Sequence, residues 1–282
     1  MYALLALSIF SASMYSIILH RFPADKNGNL FCLNFYSSII WIILLFAANR
    51  FSVDLDSSVL IWGVVYGVVQ ALFVWFKAKA MHSGSVPVTT LIGNSSLIIS
   101  ILFSFFVWRE PITFIDGIAL VLFLSGIFLA TYQKSSAKHN KSWKYYAVFF
   151  LLFASAIGIV FKAFGKSPSA SKAGSMMLIS AVVMTVLYFF FSLVTRSDKS
   201  AISRKSFILF ILSAGIFSCL YNRLNIVISA SLDAVVFFPA FNGGVVVVSA
   251  ILSKYIDKEK LSKRQITGLA LSVLAIIMIG VF

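Results

Sequence analysis

At 282 residues with a formal net charge of +14, the chain is long enough for a sizeable core, yet 60% of it is apolar and only 11% charged. Soluble domains carry closer to about a quarter charged residues, and a mean hydropathy of +0.99 excludes a soluble enzyme. The basic residues fall in short stretches between apolar runs, so the positive charge suits an anionic membrane face and no nucleic-acid partner is expected.

A bilayer core needs about 20 mostly apolar residues per helix. In chain order, that template gives spans at 2–20, 29–48, 58–79, 86–108, 112–132, 145–165, 173–195, 206–229, 233–255 and 263–282. The opening MYALLALSIF lacks a charged n-region, so the first span is expected to be retained rather than cleaved as a signal peptide. The polar break QKSSAKHNKSWK separates a first five-span unit, residues 1–133, from a second, 145–282, with 134–144 as the connecting loop.

Polar groups inside spans are costly, and each requires a reason. Span 1 carries Ser13, Ser16 and His20, and span 6 carries Ser155, Gly158 and Lys162 at an offset of 142. Each copy ends in a cation one turn from the interface, where snorkelling competes with a role in a site. Span 3 presents Gly63, Tyr66, Gln70 and Lys77 within an arc of about 60°, and span 8 presents Gly215, Ser218, Asn222 and Asn225 within about 80°. Close packing and interhelical hydrogen bonds compete with a shared cavity as the explanation of these stripes. Asn94 in span 4 and Asn242 in span 9 are equivalent, the latter between Pro239 and Gly243-Gly244, a pairing that opens a helix or marks a packing kink.

Arg223 within span 8 must find an anion, a water-filled cavity or the interface, and Asp233 is the nearest acid in sequence. A structural Arg223–Asp233 pair therefore competes with a clamp for a carboxylate or phosphate. Cys32 and Cys219 lie in apolar stretches without metal spacing, and His20, His82 and His139 have no i,i+4 partner. There is no Walker loop, no G-x-S-x-G and no carboxylate cluster, so no enzyme activity, metal or cofactor is expected.

The chain also repeats itself. Residues 84–126 laid over 232–275 bring Asn94 onto Asn242, Glu110 onto Glu259 and Thr113 onto Ser262; upstream, Gly67 falls on Gly215, Gln70 on Ser218 and Lys77 on Asn225. A unit of five spans is odd, so the second copy enters the membrane from the opposite side, giving an all-α integral membrane protein of ten helices in two inverted five-helix repeats. The turns after the odd-numbered spans, counted with the adjoining span ends, hold 17 Lys and Arg and those after the even-numbered spans five, which by the positive-inside rule places the odd turns in the cytoplasm and both termini outside.

These features, with the turns REPITF and KEKLSKRQITG and the stretches KAMHSGSV and ISASLDAV before spans 4 and 9, resemble the EamA-like branch of the drug/metabolite transporter superfamily across essentially the whole chain. That family's spans 1 and 6 end in a Gly-Ser pair and a basic residue; here Ser13 and Ser155 stand at the glycine, with His20 and Lys162 at the basic position. The resemblance implies secondary transport of a small organic metabolite through a central cavity, and termini in the cytoplasm, against the charge count.

The expected activity is movement of a small metabolite, bearing a carboxylate or phosphate, across the plasma (inner) membrane by alternating access. The expected substrate site comprises Tyr66, Gln70, Asn94, Lys162, Asn222, Arg223 and Asn242. Arg223 would pair the anion, the amides would hydrogen-bond it, and Tyr66 would supply a face. The competing expectation is an amphipathic or quaternary cation held in an aromatic cage. The expected partners are the small-molecule substrate and the lipid bilayer, for a monomer or homodimer.

Overall fold

A computed structural model describes residues 1–22, 27–83, 86–131, 142–195, 204–256 and 262–281. Among these residues the secondary structure is helical. The helices are α1 (Tyr2–Arg21), α2 (Asn27–Ala48), α3 (Ser57–Ser83), α4 (Val86–Trp108), α5 (Phe114–Thr131), α6 (Trp143–Gly165), α7 (Ala173–Val194), α8 (Arg204–Ser231), α9 (Ala234–Ile256) and α10 (Lys263–Val281), with a 3-10 turn at Ala170–Lys172. Seven of them are long and apolar enough to cross a bilayer, and Ile92–Trp108 and Phe114–Ala130 are shorter apolar stretches. This is a multi-pass membrane protein. The expected connecting loop lies largely outside the described residues, as do Ser85 and Glu259. Helix α3 runs four residues beyond its expected end, to Ser83, so Lys77 and Lys79 lie well inside it.

Charge and turn chemistry fix the helix ends. Arg109 takes φ 54°, the left-handed conformation that closes a helix, and the Glu110 N–H reaches back to the Ser104 carbonyl. That reversal swings Glu110 inward. Thr113 then caps α5: its N–H and hydroxyl donate to Asp116 Oδ2, and the Asp116 N–H donates back to Thr113 Oγ1. Ser262 and Gln265 make the same reciprocal pattern at the start of α10. The positions matched by the duplication, Thr113 and Ser262, are thus both helix caps.

Helix packing rests on small residues. A Cβ at Gly67 would stand 2.8 Å from the Ser180 carbonyl oxygen and from Val183 Cβ, so α3 lies directly on α7; Gly215 of α8 meets Ile40 of α2 in the same way. Gly126 and Gly268 let α5 and α10 approach backbone to backbone. Helix α9 continues through Pro239, and Gly243 and Gly244 make room for Phe123 and Ile9. Packing accounts for these glycines, as it does in membrane helix pairs generally. One apolar cluster gathers α2, α3, α6 and α7 around Tyr66, Phe164 and Met176; the other gathers α4, α5, α9 and α10 around Leu97, Phe123 and Phe237.

The even-numbered turns share one end of the bundle. Lys172 of the α6–α7 turn pairs with Asp54 and Asp56 of the α2–α3 turn. Glu110 of the α4–α5 turn meets the last turn of α6 and the α8–α9 junction.

Candidate functional site

Between the two apolar clusters lies a cavity of about 260 Å³, walled by α3, α4, α6, α8 and α9. It runs from Lys77 and Met81, near the odd-turn end of α3, to Phe161, Phe237 and Phe238. Those three phenylalanines form its floor. Phe161 precedes Lys162, and Phe237 lies one turn after Ala234; the floor therefore sits about one helical pitch, near 5 Å, above the residues that close the even-turn end.

That closure is a buried ion-pair network. Lys162 Nζ, 1% exposed, lies 2.7 Å from Glu110 Oε2 and donates to the Leu232 carbonyl at 2.9 Å. The Ala234 N–H donates to the same carboxylate at 2.9 Å, and Lys166 Nζ lies 2.8 Å from Glu110 Oε1. Burial alone pushes the Glu110 carboxyl up, but hydrogen bonds from Lys162, Lys166 and the Ala234 N–H outweigh it and hold the group below the usual carboxylate range. Turn α4–α5, helix α6 and the α8–α9 junction are thereby tied together.

Of the seven residues expected to form the site, Gln70, Asn94, Asn222 and Asn242 line this one cavity. Gln70 is buried and its Oε1 has no hydrogen-bond partner. Asn222 Nδ2 donates to the Ser218 carbonyl and Asn242 Nδ2 to the Phe238 carbonyl, each four residues back along its own helix. These bonds fix the two amides against their helices.

Tyr66, Lys162 and Arg223 stand elsewhere. Tyr66 is fully buried behind the wall, its ring 5.0 Å from that of Phe161, and its hydroxyl donates to Asn222 Oδ1 at 2.8 Å. It orients an amide instead of offering a face. Lys162 belongs to the closure, neither snorkelling to the interface nor lining the cavity. Arg223 is outside the lining residues, with a buried Nη1 that has no hydrogen-bond partner. Among the described residues neither Asp233 nor another carboxylate pairs with it. Neighbours on a helix point about 100° apart, so Arg223 is turned away while Tyr221, Asn222 and Asn225 face inward.

Polar residues outside the expected site also line the cavity, among them Lys77 and Asn225. The duplication pairs them, as it pairs Asn94 with Asn242; matched registers, rather than the costliest residue, were the signal that locates the wall. Gln70 and Tyr221 also border a second space of about 20 Å³ walled by Asn34, Ser38, Tyr188 and Ser218, room for about one water molecule.

Residues 1–132 match the EamA-like transporter family. No curated protein matches the chain. Twenty-eight solved chains do, among them one described only as "Crystal structure of protein", with a TM-score of 0.74 over 99% of this chain and 98% of that one at 14% identity. At such identity the likeness is one of fold. The match over residues 1–132 marks that segment as similar to the EamA-like transporter family, consistent with a membrane transporter of the drug/metabolite transporter superfamily.

Proposed function

We propose that the protein is a secondary transporter that moves a small organic metabolite bearing an anionic group across the plasma membrane by alternating access, as a monomer or homodimer. Its two halves, residues 1–133 and 145–282, act as inverted five-helix repeats. The helix pairs support this relation: α3 with α6 corresponds to α8 with α1, α4 with α6 to α9 with α1, and α3 with α7 to α8 with α2, while α2 with α7 and α5 with α10 map onto themselves. The single observation that carries the reading is one cavity, lined from both halves at matched positions and sealed beneath its floor by the Glu110 network.

In this mechanism the substrate enters from the odd-turn end, Gln70 and the Asn94, Asn222 and Asn242 amides hydrogen-bond it, and the floor phenylalanines cover its apolar part. Parting of Glu110 from Lys162 and from the Ala234 N–H frees the even-turn ends of α6 and α9, and the cavity opens there as the odd-turn end closes. Among the described residues the lining contains no carboxylate, which favours exchange or facilitated diffusion over a proton relay. It also disfavours the cation reading, because an aromatic cage without an anion would have to hold a cation beside Lys77.

Proteoliposome counterflow with solutes matched in size but opposite in charge tests the reading. Accelerated exchange of the anion is expected, with Asn222→Leu reducing it about tenfold or more through the loss of a buried polar contact. Exchange of the quaternary cation in preference to the anion contradicts it.

A further inference from the structure

We propose that the cavity selects small monocarboxylates with an apolar body, and that Lys77 rather than Arg223 supplies their counter-charge. The proposal rests on the transport reading above and names its substrate class. Among the described residues Lys77 is the sole charged one that lines the cavity. Its ammonium lies 5.7 Å from the centroid of the Phe73 ring, and among the described residues no carboxylate pairs with it. An ammonium in so apolar a wall keeps part of its desolvation cost until an anion arrives, because a ring face replaces only a fraction of lost hydration.

The charge count then sets the valence. One carboxylate neutralises Lys77; a phosphate monoester leaves a second negative charge with no partner in a low-dielectric space, and an amine adds a second positive one. A zwitterionic amino acid is disfavoured by the same count. Among the described lining residues its ammonium would meet no carboxylate, only neutral oxygens such as the unpartnered Gln70 Oε1. The remainder of the ligand is specified by the three floor phenylalanines and by Phe241 in the wall, which offer hydrocarbon and ring edges. At about 260 Å³ the space is just below the usual range of ligand pockets, about 300–1,000 Å³, which suits a six-carbon acid better than a nucleotide-linked molecule.

Arg223 has the stronger intrinsic geometry for a carboxylate, but it is on the wrong side of α8. Helix direction places Lys77 correctly: Cβ atoms tilt toward the helix N-terminus, so its long side chain leans from the odd-turn end of α3 back toward Gln70.

The test uses the purified full-length protein with 4-methylpentanoate, 4-methylpentanamide, 4-methylpentylamine and 3-methylbutyl phosphate, reading affinity by ligand-induced thermal stabilisation and transport by proteoliposome uptake. The carboxylate is expected to bind about tenfold or more tightly than the other three, the scale of a charge-assisted hydrogen bond. Lys77→Gln should abolish that preference, Lys77→Arg should keep it, and Arg223→Gln should leave it within about twofold. Equal binding of the amide, or loss of the preference in Arg223→Gln but not Lys77→Gln, overturns the inference while leaving transport itself intact. If the folded protein binds and moves none of the four, this inference fails together with its carboxylate-binding site; counterflow of a different anion would keep the broader transport reading separate.

Discussion

Glu110 shows how one residue can hold a conformation. The left-handed Arg109 turns it inward, and its carboxylate then serves Lys162, Lys166 and the Ala234 N–H together. Removing one member of a buried pair strands the other, so Glu110→Ala should cost about 3–5 kcal/mol. Lys166 is about one-third exposed, and Lys166→Ala should cost less than about 1 kcal/mol. The sign of the pH dependence follows from the direction of the shift. A carboxyl held below its unfolded value stabilises the fold above the ordinary carboxylate range, near about 4.3, and loses that contribution only as pH falls through the lower folded value. Detergent melting curves should therefore be flat in this contribution from neutral pH to about 5 and steepen below, with the steepening reduced in Glu110→Gln. An unchanged acid limb in that variant would remove Glu110 from the account.

Arg223 teaches the opposite lesson at the same scale. A guanidinium in a span is the costliest group on α8. Burial cost reports that a residue needs an explanation, not which way it points. The duplication already held the direction, since Arg223 falls over Trp75, whose ring stacks on Phe31 at 5.1 Å in the α2–α3–α7 cluster rather than facing the cavity. Lys77 was visible in the α3 stripe, but its placement in the cavity wall without a carboxylate partner among the described residues required the fold.

At the level of elements, hydropathy was sufficient to place the helices, because each must satisfy its own backbone in lipid. Which faces meet was less legible. Glycines mark contact faces only where a neighbour fills the space. Gly67 is such a position; Gly117 is not, having nothing within 4 Å of a built Cβ. Gly67→Leu should destabilise the α3–α7 contact by about 1–3 kcal/mol through overpacking, whereas Gly117→Ala should be neutral or stabilising by up to about 1 kcal/mol through helix propensity. Thermal unfolding of the two variants side by side checks both, and a tolerated Gly67→Leu would mean that α3 and α7 are not in direct contact. The even-turn closure was hardly legible at all: Glu110, Lys162 and Leu232 are distant in sequence, and only helix packing brings them together.

In the whole molecule, a cavity that leads to the odd-turn end stands over a closure at the even-turn end. Ten helices in alternation put the C-terminus at the even-turn end, so a C-terminal tag identifies that face. It also decides between the charge distribution, which sets that face outside, and the family resemblance, which sets it in the cytoplasm. Site-specific labelling connects this topology to mechanism. In a Cys32→Ala, Cys219→Ala background, single cysteines at Asn94 in the cavity and Asp56 on the even-turn face are exposed to a membrane-impermeant maleimide in vesicles of known tag orientation. Asn94→Cys should react from the face opposite the tag and Asp56→Cys from the tag face, and addition of a transported solute should move Asn94→Cys reactivity toward the tag face. Equal labelling of Asn94→Cys from both faces without solute, or labelling from the tag face alone, would contradict the closed even-turn end and the alternating-access account built on it.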